Sequence, residues 1–328
     1  LITTGAVSPG VLPDDPGNVE LRPERGTELE LGFDAGLLDE RLSLEVTYFD
    51  KTTRDALLRR PIAPSLGFDT NPWANIGEIV NRGLEVAATA RLITAPNVGW
   101  ETRLAFNTLH NEVTSLGDIS PFGTTTRVRA GAPVNSYHTH RIRRVDTERG
   151  VAIVSDTLEF VGNMIHGWEG TFLTTLNLFR QLTLYAQFDF RGDVVRYNGS
   201  AQFRERQFRN DAKWVLRDSI LTPEQRLRRF GPYQTESGQT ITFGQVLEEY
   251  IEDGSYLRLR EVSLNYRLPT ALARLMRAAD ATVTFAGRNL KTWTKFTGLD
   301  PETIYTDNTE FFTIPADRRW LLRVNLRY

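Results

Sequence analysis

The chain has 328 residues, 40% hydrophobic, 10% aromatic and 24% charged, which excludes a disordered polypeptide and allows one large domain or two ordinary ones. Its 39 basic and 41 acidic residues leave a formal net charge of −2, without the basic excess of a nucleic-acid-binding face. Cysteine is absent, which excludes disulfides, zinc–cysteine sites, iron–sulfur clusters and thiol catalysis.

The first element begins at Leu29. One face reads Leu29, Leu31, Phe33, Ala35, Leu37 and the other Glu30, Gly32, Asp34, Gly36. After Leu38-Asp39-Glu40 the alternation resumes as Leu42, Leu44, Val46, Tyr48 against Ser43, Glu45, Thr47, so the pair reads as a hairpin. A second pair sets Leu84, Val86, Ala88, Ala90, Leu92 against Glu85, Ala87, Thr89, Arg91. Residues 93–98, with Ala95-Pro96-Asn97, then turn the chain. Its partner strand sets Trp100, Thr102, Leu104, Phe106 against Glu101, Arg103, Asn107.

A third pair runs Phe172, Thr174, Leu176, Leu178, turns at 179–181, and returns as Leu182, Leu184, Ala186, Phe188, Phe190. Next come Val262, Leu264, Tyr266, Leu268, with a phase slip after Leu259 that predicts a bulge at Arg260-Glu261. Residues 269–280 connect, with a short helix expected from Leu272, Leu275 and Met276. Ala281, Val283, Phe285 and then Trp320, Leu322, Val324, Leu326, Tyr328 complete nine predicted strands.

No apolar run reaches the roughly 18 residues that a membrane helix needs. That leaves barrel strands open, since these alternate and span with about 9–11 residues each. A soluble sandwich alternates too. The connections discriminate. Those after strands one, three, five and seven are short; those after two, four, six and eight are long, at 49–78, 110–167, 192–255 and 290–317. Strict alternation of short and long turns is the pattern of an outer-membrane barrel. In the long connections, an extra strand is expected near 151–161 and a second short helix over 243–252. Ser219–Gln225 reads as a helix start with Thr222 as N-cap, Pro223 at N1 and Gln225 at N3. No signal peptide opens the chain at Leu1, so a processed product or a piece of something longer is expected.

Five segments in order resemble one known family. Leu21-Arg22-Pro23-Glu24, with Thr27-Glu28 and Gly32, resembles its LKPE-x-T-x-x-E-x-G entry, and Thr47-Tyr48-Phe49-Asp50-Lys51 its TYYDK strand end. Asn75-Ile76-Gly77-Glu78-Ile79-Val80-Asn81-Arg82-Gly83-Leu84-Glu85 resembles NAGEIxNKGIE. Asp253-Gly254-Ser255-Tyr256-Leu257-Arg258-Leu259-Arg260 resembles DASFLRLR, and Gly287-Arg288-Asn289-Leu290 through Pro301-Glu302 resembles RNLFTWTKYTGLDPE. The chain is thereby similar to the C-terminal third of a SusC/RagA-type TonB-linked outer-membrane transporter. The match is poorest over 115–165 and divergent over 200–250.

The resemblance implies an all-β, antiparallel, up-and-down transmembrane barrel segment: nine strands of a barrel of about 22, with a plugged lumen. Long loops lie outside and short turns lie on the periplasmic side. It implies that plug and first strands lie outside residues 1–328. It implies active, TonB-driven import of an oligosaccharide or peptide across a Gram-negative outer membrane, with a SusD-like lipoprotein over the mouth. TonB would act through a segment not in these residues. Two other readings are a passive porin-type barrel and a secreted soluble all-β carbohydrate-binding or hydrolytic module.

The site residues follow from this frame. Trp320, Leu322, Val324, Leu326 and the terminal Tyr328 resemble the signal read by the outer-membrane insertion machinery, which adds an edge strand by main-chain pairing. Glu45, Glu85, Glu101, Asp189, Arg191, Asn265 and Arg323 fall on the polar phase and are expected to line the lumen. Leu44, Leu184, Phe188, Leu264 and Val324 are expected to meet the lipid bilayer, with Trp100, Trp168 and Trp320 as a girdle. Trp73, Phe122, Tyr137, Trp214, Tyr233 and Tyr250 sit in long loops as candidates for substrate or partner contact. His138-x-His140 has a usable spacing for a metal, but no third ligand stands near, so an exposed loop is expected. No catalytic residue, metal, cofactor or nucleic-acid partner is expected.

Overall fold

Alternating side chains give every long segment one apolar and one polar face, and the segments pair edge to edge. A computed structural model describes residues 16–68, 70–207, 221–302 and 309–328. The wall strands are β1 (Arg25–Leu37), β2 (Leu42–Arg54), β3 (Glu78–Ala95), β4 (Val98–Thr108), β5 (Trp168–Leu178), β6 (Leu182–Gly192), β7 (Tyr256–Arg267), β8 (Asp280–Thr294) and β9 (Arg319–Arg327). Each is antiparallel to its neighbour in chain order, with no crossing. A further strand, His110–Ser115, continues beyond β4 and pairs with the start of β3.

The four short turns share one end and bond to one another. Leu38, Asp39 and Glu40 adopt left-handed φ near 55°, which closes the first hairpin, and Arg41 donates its N–H to the Leu38 carbonyl at 3.2 Å. The Arg91 N–H reaches the Arg41 carbonyl, the Phe179 N–H reaches Asn97, and the Arg267 N–H reaches Gln181. The second turn is only Pro96-Asn97, not 93–98, because a bulge between Arg91 and Ile93 lets β3 continue three further pairs past the apparent end of its pattern. The bulge predicted at Arg260-Glu261 is present, facing the Gln187/Phe188 slip on β6. The last short connection holds the helix Thr270–Leu275, as its apolar spacing predicts.

The register defines the faces. Ala35, Leu44, Ala88, Leu104, Phe172, Phe188 and Leu259 form one cross-strand row, and Leu184, Leu264, Phe285 and Leu322 another. The intervening rows are polar: Thr47, Glu85, Asn107, Glu169 and Arg191, then Thr183, Asn265, Thr284 and Arg323. At Gly83 a Cβ would lie 2.0 Å from the Thr108 carbonyl oxygen and against the Phe49 ring, so only glycine admits that approach.

Among the described residues the buried apolar clusters are not in the wall, which buries only single residues such as Tyr256, Ala281 and Ala286. They lie in a crown that the long loops build at the opposite end from the turns. Ala152, Val154, Tyr233, Ile241 and Val246 form one cluster, Ile76, Val113, Leu116 and Val128 a second, and Tyr137, Met164, Leu247 and Ile251 a third. Small sheets weld the loops together. The strand Val151–Val154 pairs in parallel with Tyr233–Thr235, and Val195–Asn198 pairs in parallel with Thr309–Glu310. The region 151–161 therefore holds two short strands, Val151–Val154 and Glu159–Gly162. The helix Pro223–Phe230 carries the expected capping box of Thr222 and Gln225; Ser219 and Ile220 lie outside the described residues. Residues 243–252 do not make one helix: two single turns, Phe243–Gln245 and Glu248–Tyr250, lead into the strand Ile251–Asp253.

Candidate functional site

The polar rows bring all seven predicted lining residues to one face of the sheet. Glu45 stands opposite Ala87, Glu85 opposite Asn107, Glu101 opposite Thr175, and Arg191 opposite Glu169. Asn265 accepts the Thr284 hydroxyl at 2.6 Å, and Arg323 stands next in that row. The Arg191 guanidinium meets Glu169 at 2.8 Å. Two recesses open on this face. One is lined by Thr175, Tyr185, Glu261, Asn265, Arg288 and Arg323, the other by Asn107, Asp189, Arg191, Tyr256, Arg260 and Glu302. A face of hydroxyls, amides and mixed charges can hydrogen-bond polar groups of either sign.

The strongest feature of this face is a network that sequence reasoning missed. Arg258 donates to Asp300 and to Glu302, each at 2.5 Å, with the Arg258 and Asp300 side chains almost wholly buried. Arg260, at the bulge, donates to Asp189 at 2.5 Å, to Glu302 at 2.7 Å and to Asn289 at 3.1 Å. The loop after β8 is thereby tied onto the wall. Two of the family-like segments, 253–260 and 297–302, are the two halves of this one structure. The signal lay in the Arg-x-Arg spacing, which the two-residue period of a strand places as two guanidiniums on one face. A second tie joins the other segments. The Asn75 side-chain amide donates to the Arg22 and Asp55 carbonyls, the Glu24 carboxylate accepts the Leu57 N–H at 2.5 Å, and Arg54 pairs with Glu78 at 2.9 Å.

The apolar face carries Leu44, Leu184, Phe188, Leu264 and Val324. Trp168 packs near Phe106 and Phe190 at the loop end, Trp320 stacks on Phe285 at 5.5 Å, and Trp100 lies at the turn end.

The loop aromatics correct the sequence reading. Tyr137, Tyr233 and Tyr250 are 0%, 2% and 2% exposed. They hold the crown together and offer no face to a substrate: the Tyr233 hydroxyl donates to the Arg228 carbonyl and the Tyr250 hydroxyl to Glu205 at 2.6 Å. Burial, reinforced by nearby carboxylates, pushes both phenols well above their ordinary range. Phe122 packs half-buried on the second core cluster. Trp73 is exposed, with the Arg59 guanidinium 4.8 Å over its ring. Trp214 lies outside the described residues. The histidine pair is also corrected. His138 and His140 are buried in the crown, not set in an exposed loop, because the loop has enough length to build its own sheets. Among the described residues no three His, Asp or Glu side chains gather as a metal site.

Tyr328 is 84% exposed at the end of β9, and β9 pairs only with β8 among the described residues. Its apolar row Trp320, Leu322, Val324, Leu326 points to the same side as the outer rows of β7 and β8. Tyr328→Ala is expected to lower the amount of full-length protein inserted in the membrane while leaving ligand preference per inserted molecule unchanged. Heat-modifiable barrel in membrane fractions, measured beside ligand binding, checks this; normal insertion with altered preference would refute it.

A family model described as TonB dependent receptor-like, beta-barrel matches residues 3–290. The TonB-dependent receptor P3 of Formosa agariphila is 24% identical over 373 residues, covering 97% of this chain and 36% of that protein. The TonB-dependent receptor SusC of Bacteroides thetaiotaomicron is 22% identical, covering 87% of this chain and 30% of that protein. The chain thus spans about a third of the length of these relatives. Among solved structures, the RagAB peptide transporter superposes with a TM-score of 0.78 at 22% identity, over 99% of this chain and 38% of that one.

Proposed function

Because the chain belongs to the TonB-dependent receptor-like β-barrel family, we propose that it is the C-terminal wall of an outer-membrane nutrient importer. The plug and the first barrel strands lie on the remainder of a longer protein. The apolar face meets lipid. The face bearing Glu45, Glu85, Glu101, Asp189, Arg191, Asn265 and Arg323 lines the lumen. The crown stands outside the cell and the tight turns stand in the periplasm of a Gram-negative bacterium. Import is active, driven through TonB by the inner-membrane proton gradient. The cargo is an oligopeptide or an oligosaccharide, and a SusD-like lipoprotein covers the mouth. The protein is not an enzyme and needs no cofactor.

One observation carries this reading: nine antiparallel strands in chain order, apolar on one face and polar on the other, joined alternately by tight turns and long loops. A spanning sheet needs closure, since an unpaired edge in lipid leaves backbone groups unsatisfied. Among the described residues β1 and β9 each pair on one side only, which supports further strands in the whole protein. The name of the RagAB peptide transporter supports an oligopeptide cargo; the oligosaccharide and the lipoprotein partner rest on the resemblance of the five sequence segments.

The test is uptake of labelled oligopeptides and oligosaccharides by cells with and without the intact full-length gene. Uptake is expected to saturate, to require the gene, and to stop when a protonophore collapses the proton gradient. Gene-dependent uptake that rises linearly and ignores the protonophore would instead establish a passive porin.

A further inference from the structure

The crown holds a recess away from the polar face of the wall. Pro121, Arg127, Arg129, His138, His140 and Asp156 line it. His138 lies on the strand Ser136–Thr139 and is 2% exposed. Its Nδ1 is 3.1 Å from the Ser136 carbonyl, which only accepts, so Nδ1 carries the proton. In the neutral ring Nε2 is then a bare lone pair, and this buried atom has no hydrogen-bond partner. His140 is turned the same way, with Nδ1 2.6 Å from the Ser155 carbonyl. A buried polar atom without a partner marks a place where one is missing.

The surroundings decide what that partner is. The half-buried Arg127 side chain donates to the Pro121 carbonyl at 3.2 Å, and Arg129 is exposed beside it. Asp156 accepts the Ser237 N–H at 2.8 Å and also faces His140; among the described residues no other carboxylate lines the recess. The strand Glu159–Gly162 presents the Phe160 ring, edge-on at 5.8 Å, and no charge to His138. Two guanidiniums repel a metal ion and attract an oxyanion, which each can hold by a fork of N–H groups. A protonated His138 would add a third donor through Nε2.

We propose that this recess is a subsite for an oxyanion group, a carboxylate or a sulfate, carried by the imported nutrient and held by Arg127, Arg129 and the Nε2–H of His138. It rests on the importer reading only for the identity of the carrier. Without the anion, burial holds His138 below its ordinary range against the Ser136 carbonyl, with the Arg127 and Arg129 charges adding to the depression. Binding therefore takes one proton from solvent onto Nε2, and affinity falls as pH rises.

The probe is radiolabelled inorganic sulfate, bound to the purified full-length transporter at about pH 5.5 and about pH 8. Saturable binding is expected, weakening by up to about tenfold per pH unit. Arg129→Gln, at an exposed position that leaves the crown packing intact, should weaken binding at both pH values. His138→Gln should flatten the pH dependence, with heat-modifiability confirming that the variant is folded. Displacement by an oligogalacturonate or by an aspartate-rich oligopeptide identifies the carrier, and either supports the subsite. No saturable binding, an unchanged pH profile in folded His138→Gln, or sulfate displaced by neither competitor, an adventitious ion only, would overturn it. Sulfate binding needs no energy source, so its loss with uptake intact refutes this subsite alone. Uptake that fails with sulfate binding intact refutes the importer reading alone.

Discussion

Arg258→Met is expected to destabilise the folded protein by about 3–5 kcal/mol, the cost of leaving a buried charge without its partner. The Asp300 carboxylate would keep only the N–H donors of Glu302 at 2.9 Å and Ala316 at 3.3 Å. Glu302 would still have Arg260 at 2.7 Å. The loop after β8 would lose its strongest attachment to the wall. Combining Arg258→Met with Asp300→Leu is expected to recover part of the loss, because the orphaned charge is then gone while the Glu302 and Ala316 N–H groups lose their acceptor. Thermal unfolding of the full-length protein in detergent, read from the heat-modifiable band, measures both. Equal unfolding temperatures for wild type and Arg258→Met would show that the network holds nothing.

The second large effect is expected at Phe188. This residue faces away from Asp189 on β6 and packs beside Phe172 at 6.5 Å. It lies midway between the levels of Trp168, opposite Gly192, and Trp100, whose row includes Leu184. The span from Leu184 to Gly192 is about 25 Å along a strand. Phe188→Arg thus places a guanidinium near mid-bilayer, at a cost of about 2–4 kcal/mol. Asn265→Arg on the opposite face should cost about 1 kcal/mol, the hydrogen bond from Thr284. Unfolding in lipid vesicles, measured for the two variants side by side, separates the faces. Equal costs would mean that the assignment of lipid and lumen is wrong.

The wall was legible because its strands are long enough for a period of two to repeat. Leu29 to Leu37 and Leu182 to Phe190 each show four or more full alternations. Where a bulge breaks phase, the reading fails locally. Residues 93–95 looked like the start of a turn, and Arg258 and Arg260 looked like family marks instead of partners of Asp300, Glu302 and Asp189. The crown was not legible for a different reason. Its strands are two to five residues long, too short to show a period, and its pairings join residues far apart in the chain. Tyr233 meets Ala152 across 81 positions, and nothing local to Tyr233 reports that burial. The same holds for Tyr137, Tyr250 and the two histidines, whose polar atoms suggested exposure until the loop sheets closed over them.

The contrast between wall and crown sets an order of events. Each wall strand finds its partner next door, across turns as short as Pro96-Asn97, so little chain must be drawn together before contacts reward it. The crown's parallel pairings, Ala152 with Tyr233 and Tyr197 with Thr309, close excursions of 80 residues or more and cannot begin until both loops have been delivered to the same side. Low contact order is fast and high contact order is slow. The hairpins should therefore assemble first, and the crown should be the last part to resist a protease added from outside. During maturation there is then an interval in which the sheet is already anchored and its mouth is still unfinished.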